Sequence, residues 1–232
     1  MIAIDAPLSS VLAKLAAVVG PFKDLLPNQT DFDPSDGELI LVGEREGRTY
    51  LMEPRGFLTS AWGLLVELSA DLKALVACFN YDPSESHCEL FVARNGQVQR
   101  IFWSNPVRAS APYSMGSSLP SESNHPLSGS GGWGLIEAFR CLGFDQPDRD
   151  GAIRQGDWNR YMTWPGVPSS MFKNEYSELV NAHARSHMKP DYVWPEPQIR
   201  LRATSWSGWL LLSWIQTLDW AKRLFRPGKD SS

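Results

Sequence analysis

The sequence predicts an α+β fold: an antiparallel sheet, made of a hairpin and a three-stranded meander, packed with several helices and followed by a helical C-terminal part. Two observations carry this expectation. Residues 8–22 place apolar groups at the three-and-four spacing of an amphipathic helix, and residues 74–103 hold three β-rich runs joined by strong turn signals. The chain has 232 residues, enough to bury a substantial core without disulfides.

In the first helix, Leu8, Val11, Leu12, Leu15, Val18, Val19 and Phe22 share a face, with Pro7 near the start and Gly20-Pro21 near the stop. Asp31, Asp33, Asp36 and Glu38 then make an acidic loop. Residues 38–42 and 48–52 flank Glu44-Arg45-Glu46-Gly47 as a hairpin with a charged, exposed tip. A second helix is expected within 57–72, where Leu64, Leu65, Leu68 and Leu72 recur opposite Glu67 and Asp71. The meander strands are 74–80, 87–93 and 97–103, turning at Asp82-Pro83-Ser84 and Arg94-Asn95-Gly96.

Residues 104–132 are rich in Ser, Pro and Gly, with only scattered apolar groups such as Tyr113, Met115 and Leu119. Such a composition offsets the entropy of ordering poorly, so a long mobile loop is expected near 105–132. The remainder reads as mainly helical. A helix over 133–142 ends at Gly143, a segment around 158–164 follows, and a longer helix covers 169–188. Beyond Pro190, Pro195 and Pro197, residues 198–202 suit an edge strand and 206–225 a last helix. One domain over 1–232 is expected, with a division into 1–104 and a mainly helical 133–232 as the alternative.

Composition narrows the classes. Ten Trp is a large aromatic share for this length, and such rings belong in cores or interfaces. No run approaches the roughly 20 apolar residues that span a bilayer, since 209–215 is short and broken by Ser213. The N-terminus shows no secretory pattern, which predicts a cytoplasmic protein. Cys78, Cys88 and Cys141 form no C-x-x-C pair and read as buried free thiols. A hairpin between the first two allows Cys78 and Cys88 to oppose each other, which opens a redox role. The net charge of −4 is uneven: residues 1–131 carry 9 basic and 15 acidic groups, net −6, and residues 132–232 carry 13 and 11, net +2. An acidic first half disfavours nonspecific nucleic-acid binding and suits a basic partner.

The most chemically suggestive segment runs from Asp145 to Asp157. Numbered as a calcium loop from Gln146, it puts Asp148, Asp150, Gly151, Ile153 and Asp157 at positions three, five, six, eight and twelve. Gln146 stands where the first carboxylate belongs, and Asp157 is shorter than the bidentate Glu, so an Asp-Gly turn is the favoured reading and no cofactor is expected. His183 and His187 lie one helical turn apart, but Ala184 replaces the zincin glutamate. With Phe172, Tyr176, Leu179 and Val180 on the same stripe, His183 reads as a core or interface residue. Ser110 to Ser130 contain no G-x-S-x-G elbow, and His125 has no evident orienting carboxylate. In the last helix, Trp206, Trp209, Leu210, Trp214, Leu218, Ala221, Leu224 and Phe225 form a broad apolar face, ending in Lys222, Arg223 and Arg226. That face docks on its own domain or on a partner.

A charged hairpin, a long loop and aromatic-rich helices suit a protein whose work is binding. Phe91-Val92-Ala93-Arg94-Asn95-Gly96-Gln97-Val98-Gln99-Arg100, the Ser-rich stretch from Gly116 to Glu122, and Trp133-Gly134-Leu135-Ile136-Glu137 together resemble bacterial immunity proteins that neutralise a secreted toxin. Those accompanying type VI secretion effectors are nearest in layout, over residues 74–143. Such proteins share no single fold or binding motif, so the resemblance transfers no residue roles. It implies one tight protein partner, a toxin, with a nuclease that carries a basic cleft among the candidates. In that setting Asp31, Asp33, Asp36, Glu44 and Glu46 would steer association, and aromatics such as Trp206, Trp209 and Trp214 would dominate affinity. The alternatives are a metal-dependent enzyme built on Asp148, Asp150 and Asp157, and a membrane-surface adaptor working through the 206–225 helix.

Overall fold

The computed structural model describes residues 1–24, 38–52, 57–82, 85–128, 132–144, 160–164, 174–190 and 192. In chain order the elements are β1 (Ile2–Ile4), α1 (Leu8–Val19), β2 (Lys23–Asp24), β3 (Glu38–Arg45), β4 (Arg48–Met52), α2 (Phe57–Ser60) and α3 (Trp62–Leu72). They continue with β5 (Leu75–Asp82), β6 (His87–Arg94), β7 (Gln97–Ser104), β8 (Tyr113–Gly116), a 3-10 turn at Pro120–Ser123, α4 (Trp133–Cys141), β9 (Arg160–Trp164) and α5 (Glu175–Ser186). The α+β class is as the sequence predicts. Among the described residues, one antiparallel sheet takes all nine strands in the order β2-β9-β3-β4-β1-β5-β6-β7-β8.

Two-residue turns set the hairpin registers. Glu46-Gly47 and Asn95-Gly96 each put both central residues at positive φ, the geometry that matches the right-handed twist of the flanking strands. At Gly96 the requirement is doubled, because a Cβ there would lie 2.8 Å from Ala70 Cβ. β1 has no polar side chain, and it sits in the middle of the sheet with all three residues buried.

Both faces of the sheet are covered. On one, Ile40, Val42, Leu51, Val76, Phe91 and Ile101 share a core with Val11 and Leu15 of α1, Leu64, Leu65 and Leu68 of α3, and Val180 of α5. On the other, Tyr50, Ala77, Leu90, Val92 and Phe102 meet Leu135, Ala138 and Phe139 of α4, together with Leu127. The period-2 alternation of β5 to β7 divides their side chains between these two cores.

The start of α1 explains one acidic residue of the hairpin. Pro7 at the N-cap offers no side-chain acceptor, and Glu44 Oε2 instead accepts a hydrogen bond from Leu8 N at 2.7 Å. A carboxylate there satisfies an orphan donor and complements the helix dipole. Glu44→Ala is therefore expected to lower stability by about 1 kcal/mol, read as a shift in the thermal midpoint.

Several expectations change. The long loop expected near 105–132 is, over its described part, an ordered segment: β8 pairs with β7, and Glu122 of the 3-10 turn binds Arg100. The segment around 158–164 contains a strand, β9, which pairs with β3 from Glu38↔Trp164 to Val42↔Arg160. Met1–Tyr192 form one compact unit. The helix expected over 169–188 runs from Glu175 to Ser186, started by Asn174, whose side chain accepts from Ser177 N. Cys78 and Cys88 do not face each other: Cys78 pairs with Phe91 and Cys88 with Tyr81, and they belong to different cores. Burial pushes their thiols up to about 12 and about 11, so neither is a nucleophilic thiolate near neutral pH.

Candidate functional site

At one end of the meander β5 leaves the sheet at Asp82, β6 enters at His87 and β7 leaves at Ser104, in the register Asp82↔His87 and Cys88↔Ser104. Two large apolar side chains stand exposed here, Trp133 at 52% and Val107 at 48%. Each is held on a fixed frame.

Trp133 opens α4. Gly132, with φ +89°, lets the chain pass close to β5, since a Cβ there would sit 3.2 Å from Tyr81 Cδ1. Leu135, Ala138 and Phe139 anchor the helix in the sheet, and Phe139 meets Phe79 edge-on at 4.7 Å. Trp133 is off that buried stripe and points away from the core.

Val107 sits on a turn closed by Asn105, whose Oδ1 accepts from Val107 N at 3.2 Å and Arg108 N at 3.1 Å. Asn105 Nδ2 donates to Glu85 at 2.8 Å, and Arg108 pairs with Glu85 at 3.1 Å. The Asn105 hydrogen bond is the main cause holding the Glu85 carboxyl below the usual carboxylate range; Arg108 adds to it and burial opposes it. This network ties the β5–β6 turn to the chain after β7. Beside it, His87 Nε2 lies 3.1 Å from Glu89 Oε1 without hydrogen-bond alignment, and the His87 ring meets Trp103 at 6.1 Å.

The C-terminal end of α5 completes the frame. His183 Nε2 donates to Ala111 O at 3.2 Å, and its ring rests on Tyr113 at 5.4 Å. His187 stacks on His183 at 4.1 Å and donates from Nδ1 to His183 O. Stacked rings direct their nitrogens along nearly parallel planes and do not converge on one metal ion. On the second face of the sheet an open groove of about 470 Å³ runs along Phe102, Leu119, Pro120, Pro126 and Leu127. The ion pair between Arg100 and Glu122 fixes its wall.

This arrangement offers apolar anchors on a pre-ordered support, so a partner would bind without first ordering it. Among the described residues no three His, Cys, Asp or Glu side chains gather to hold a metal ion. No described helix is long and apolar enough to cross a membrane.

The residues singled out from sequence fall into two groups. Asp31, Asp33, Asp36, Asp148, Asp150, Asp157, Trp206, Trp209 and Trp214 lie outside the described residues, as do the strand at 198–202 and the helix at 206–225. Glu44 and Glu46 are described and do different things. Glu44 is committed to the start of α1, whereas Glu46 is exposed at the hairpin turn. Sequence reasoning missed Trp133 and Val107. A signal for Trp133 was present in its position off the Leu135, Ala138 and Phe139 stripe, but Val107 gave none. Comparison with protein-family models, with curated proteins and with solved structures finds no match to this chain.

Proposed function

We propose that this chain is a bacterial immunity protein, which binds one antibacterial toxin in the cytoplasm and neutralises it, with a nuclease effector of type VI secretion as the toxin class. The observation that supports binding is Trp133, half exposed on a helix whose other side is locked into the sheet. An exposed Trp on a rigid element is the residue type that most often dominates a protein interface. Val107 is a second exposed apolar side chain near the same end of the meander, and the exposed Glu46 together with the acidic first half suits steering toward a basic partner.

The test uses the full chain as bait in bacterial lysate and then expresses the captured protein with and without it. The expected result is one stoichiometric partner, toxic alone and harmless in co-expression. Trp133→Ala is expected to weaken that complex by about 30-fold or more, equivalent to about 2 kcal/mol, mainly through faster dissociation. An unchanged dissociation constant would move the contact away from α4, and the absence of any toxic partner would remove the immunity reading.

A further inference from the structure

One carboxylate joins three parts of the chain that are far apart in sequence. Glu85 stands in the turn between β5 and β6. Its Oε2 accepts a hydrogen bond from Asn105 Nδ2 at 2.8 Å and lies 3.1 Å from Arg108 Nη2. Asn105 is 2% exposed and closes the turn after β7, its Oδ1 accepting from Val107 N and Arg108 N. Arg108 carries the connection onward. Its guanidinium lies 5.8 Å from the centre of the Tyr192 ring, and its carbonyl accepts from Lys189 N at 3.0 Å. Next to that contact Ser110 N donates to His187 O and Ala109 bridges Met188, so the chain after α5 lies along residues 108–110.

The Glu85 side chain is 33% exposed, so a proton reaches it from solvent without the sheet opening. The hydrogen bond from Asn105 is the main cause holding its carboxyl below the usual carboxylate range; burial opposes it, Arg108 adds to it, and the charge of Asp82 works against it. The titratable and charged groups around Glu85 are thus Asp82 at the end of β5, Arg108 with Tyr192 beyond it, and His87 at the start of β6, whose ring turns to Glu89 and Trp103. A folded-state value held low has a defined sign. The contacts contribute their full stability above the ordinary glutamate range and lose it as the pH falls through the lowered value.

We propose that Glu85 is a proton-released clasp. Ionised, it binds the β5–β6 turn to the 105–108 turn and, through Arg108, to the chain at Lys189 and Tyr192. Protonated, it offers Arg108 no charge and Asn105 only a neutral oxygen, and these segments loosen. The meander itself stays paired, because the ladder from Cys88↔Ser104 inward is made by main-chain bonds that do not involve Glu85. The charge on one side chain thereby sets whether this end of the sheet and the chain after α5 move as one piece.

The proposal does not rest on the immunity reading. Its test is amide hydrogen exchange of the full chain by NMR at about pH 7 and about pH 3.5, corrected for intrinsic rates, with the Glu85 carboxyl carbon followed in the same titration. Protection at Val107, Arg108 and Lys189 is expected to fall about fivefold or more relative to the ladder amides of β6 and β7, in step with the Glu85 titration. Glu85→Gln, a neutral side chain of the same shape, is expected to show the same loss already at about pH 7 and no further selective loss in acid. Three outcomes overturn the proposal: unchanged protection at the three amides, a loss that the ladder amides share equally, or a Glu85→Gln protein that protects these amides at about pH 7 as the parent chain does.

Discussion

Arg100→Ala is expected to lower the unfolding free energy by about 3–5 kcal/mol, the cost of breaking a buried ion pair by removing one partner. The Arg100 side chain is 3% exposed, on the sheet face that carries α4. Its Nε and Nη2 reach the two oxygens of Glu122 at 2.9 and 2.7 Å, a bidentate grip, and its Nη1 donates to Ile101 O, Ser114 Oγ and Met115 O. Alanine leaves the Glu122 carboxylate, 12% exposed, with the Leu119 N–H as its remaining donor, and frees two strand carbonyls. The double variant Arg100→Met with Glu122→Leu is expected to recover most of the loss, because two apolar groups of similar volume carry no uncompensated charge. Urea titration of the two singles and the double decides this. A single-variant loss below about 1 kcal/mol would mean that the pair acts like a surface bridge.

That pair also explains what the sequence did not reveal. Residues 105–128 read as loop because local propensity is weak there, and their order comes from contacts remote in sequence: Glu122 on Arg100, β8 on β7, and Ser110 on His187. The same cause hides β9, whose pairing with β3 joins residues more than a hundred positions apart, and the capping role of Glu44, whose partner is 36 residues upstream. By contrast α1, the Asn95-Gly96 turn and the three meander strands were legible, since helical spacing, a turn dipeptide and period-2 runs are local signals. β1 escaped because three apolar residues are too short for any period to show. For the candidate site, amphipathic spacing drew attention to the 206–225 helix. Yet the exposure of Trp133 depends on which side of α4 the sheet takes, a tertiary choice that the Leu135, Ala138 and Phe139 stripe only suggests.

Phe91→Ala is the second substitution with a large expected effect, a loss of about 3–5 kcal/mol from the transferred ring and the cavity left behind. Phe91 is fully buried in the middle of β6, between Cys78 and Ile101 on the neighbouring strands. Its ring stacks on Trp62 of α3 at 5.5 Å and 16°. Trp62 Nε1 is buried without a hydrogen-bond partner, so packing alone holds the indole, and stacking contributes about 0.5–1.5 kcal/mol beyond the buried area. Removing Phe91 takes away the surface beneath α3 as well as its own contacts. Phe91→Leu keeps most of the volume and is expected to cost under about 1.5 kcal/mol more than local repacking recovers. Denaturant midpoints at constant slope measure both, and equal losses for Ala and Leu would show that the ring's volume is not what matters. Trp133→Ala supplies the contrast: an aromatic of larger size, exposed on α4, whose loss is expected to change stability by no more than about 0.5 kcal/mol while weakening partner binding. The two aromatics thus contrast a ring that holds the fold together with one that the fold leaves on its surface.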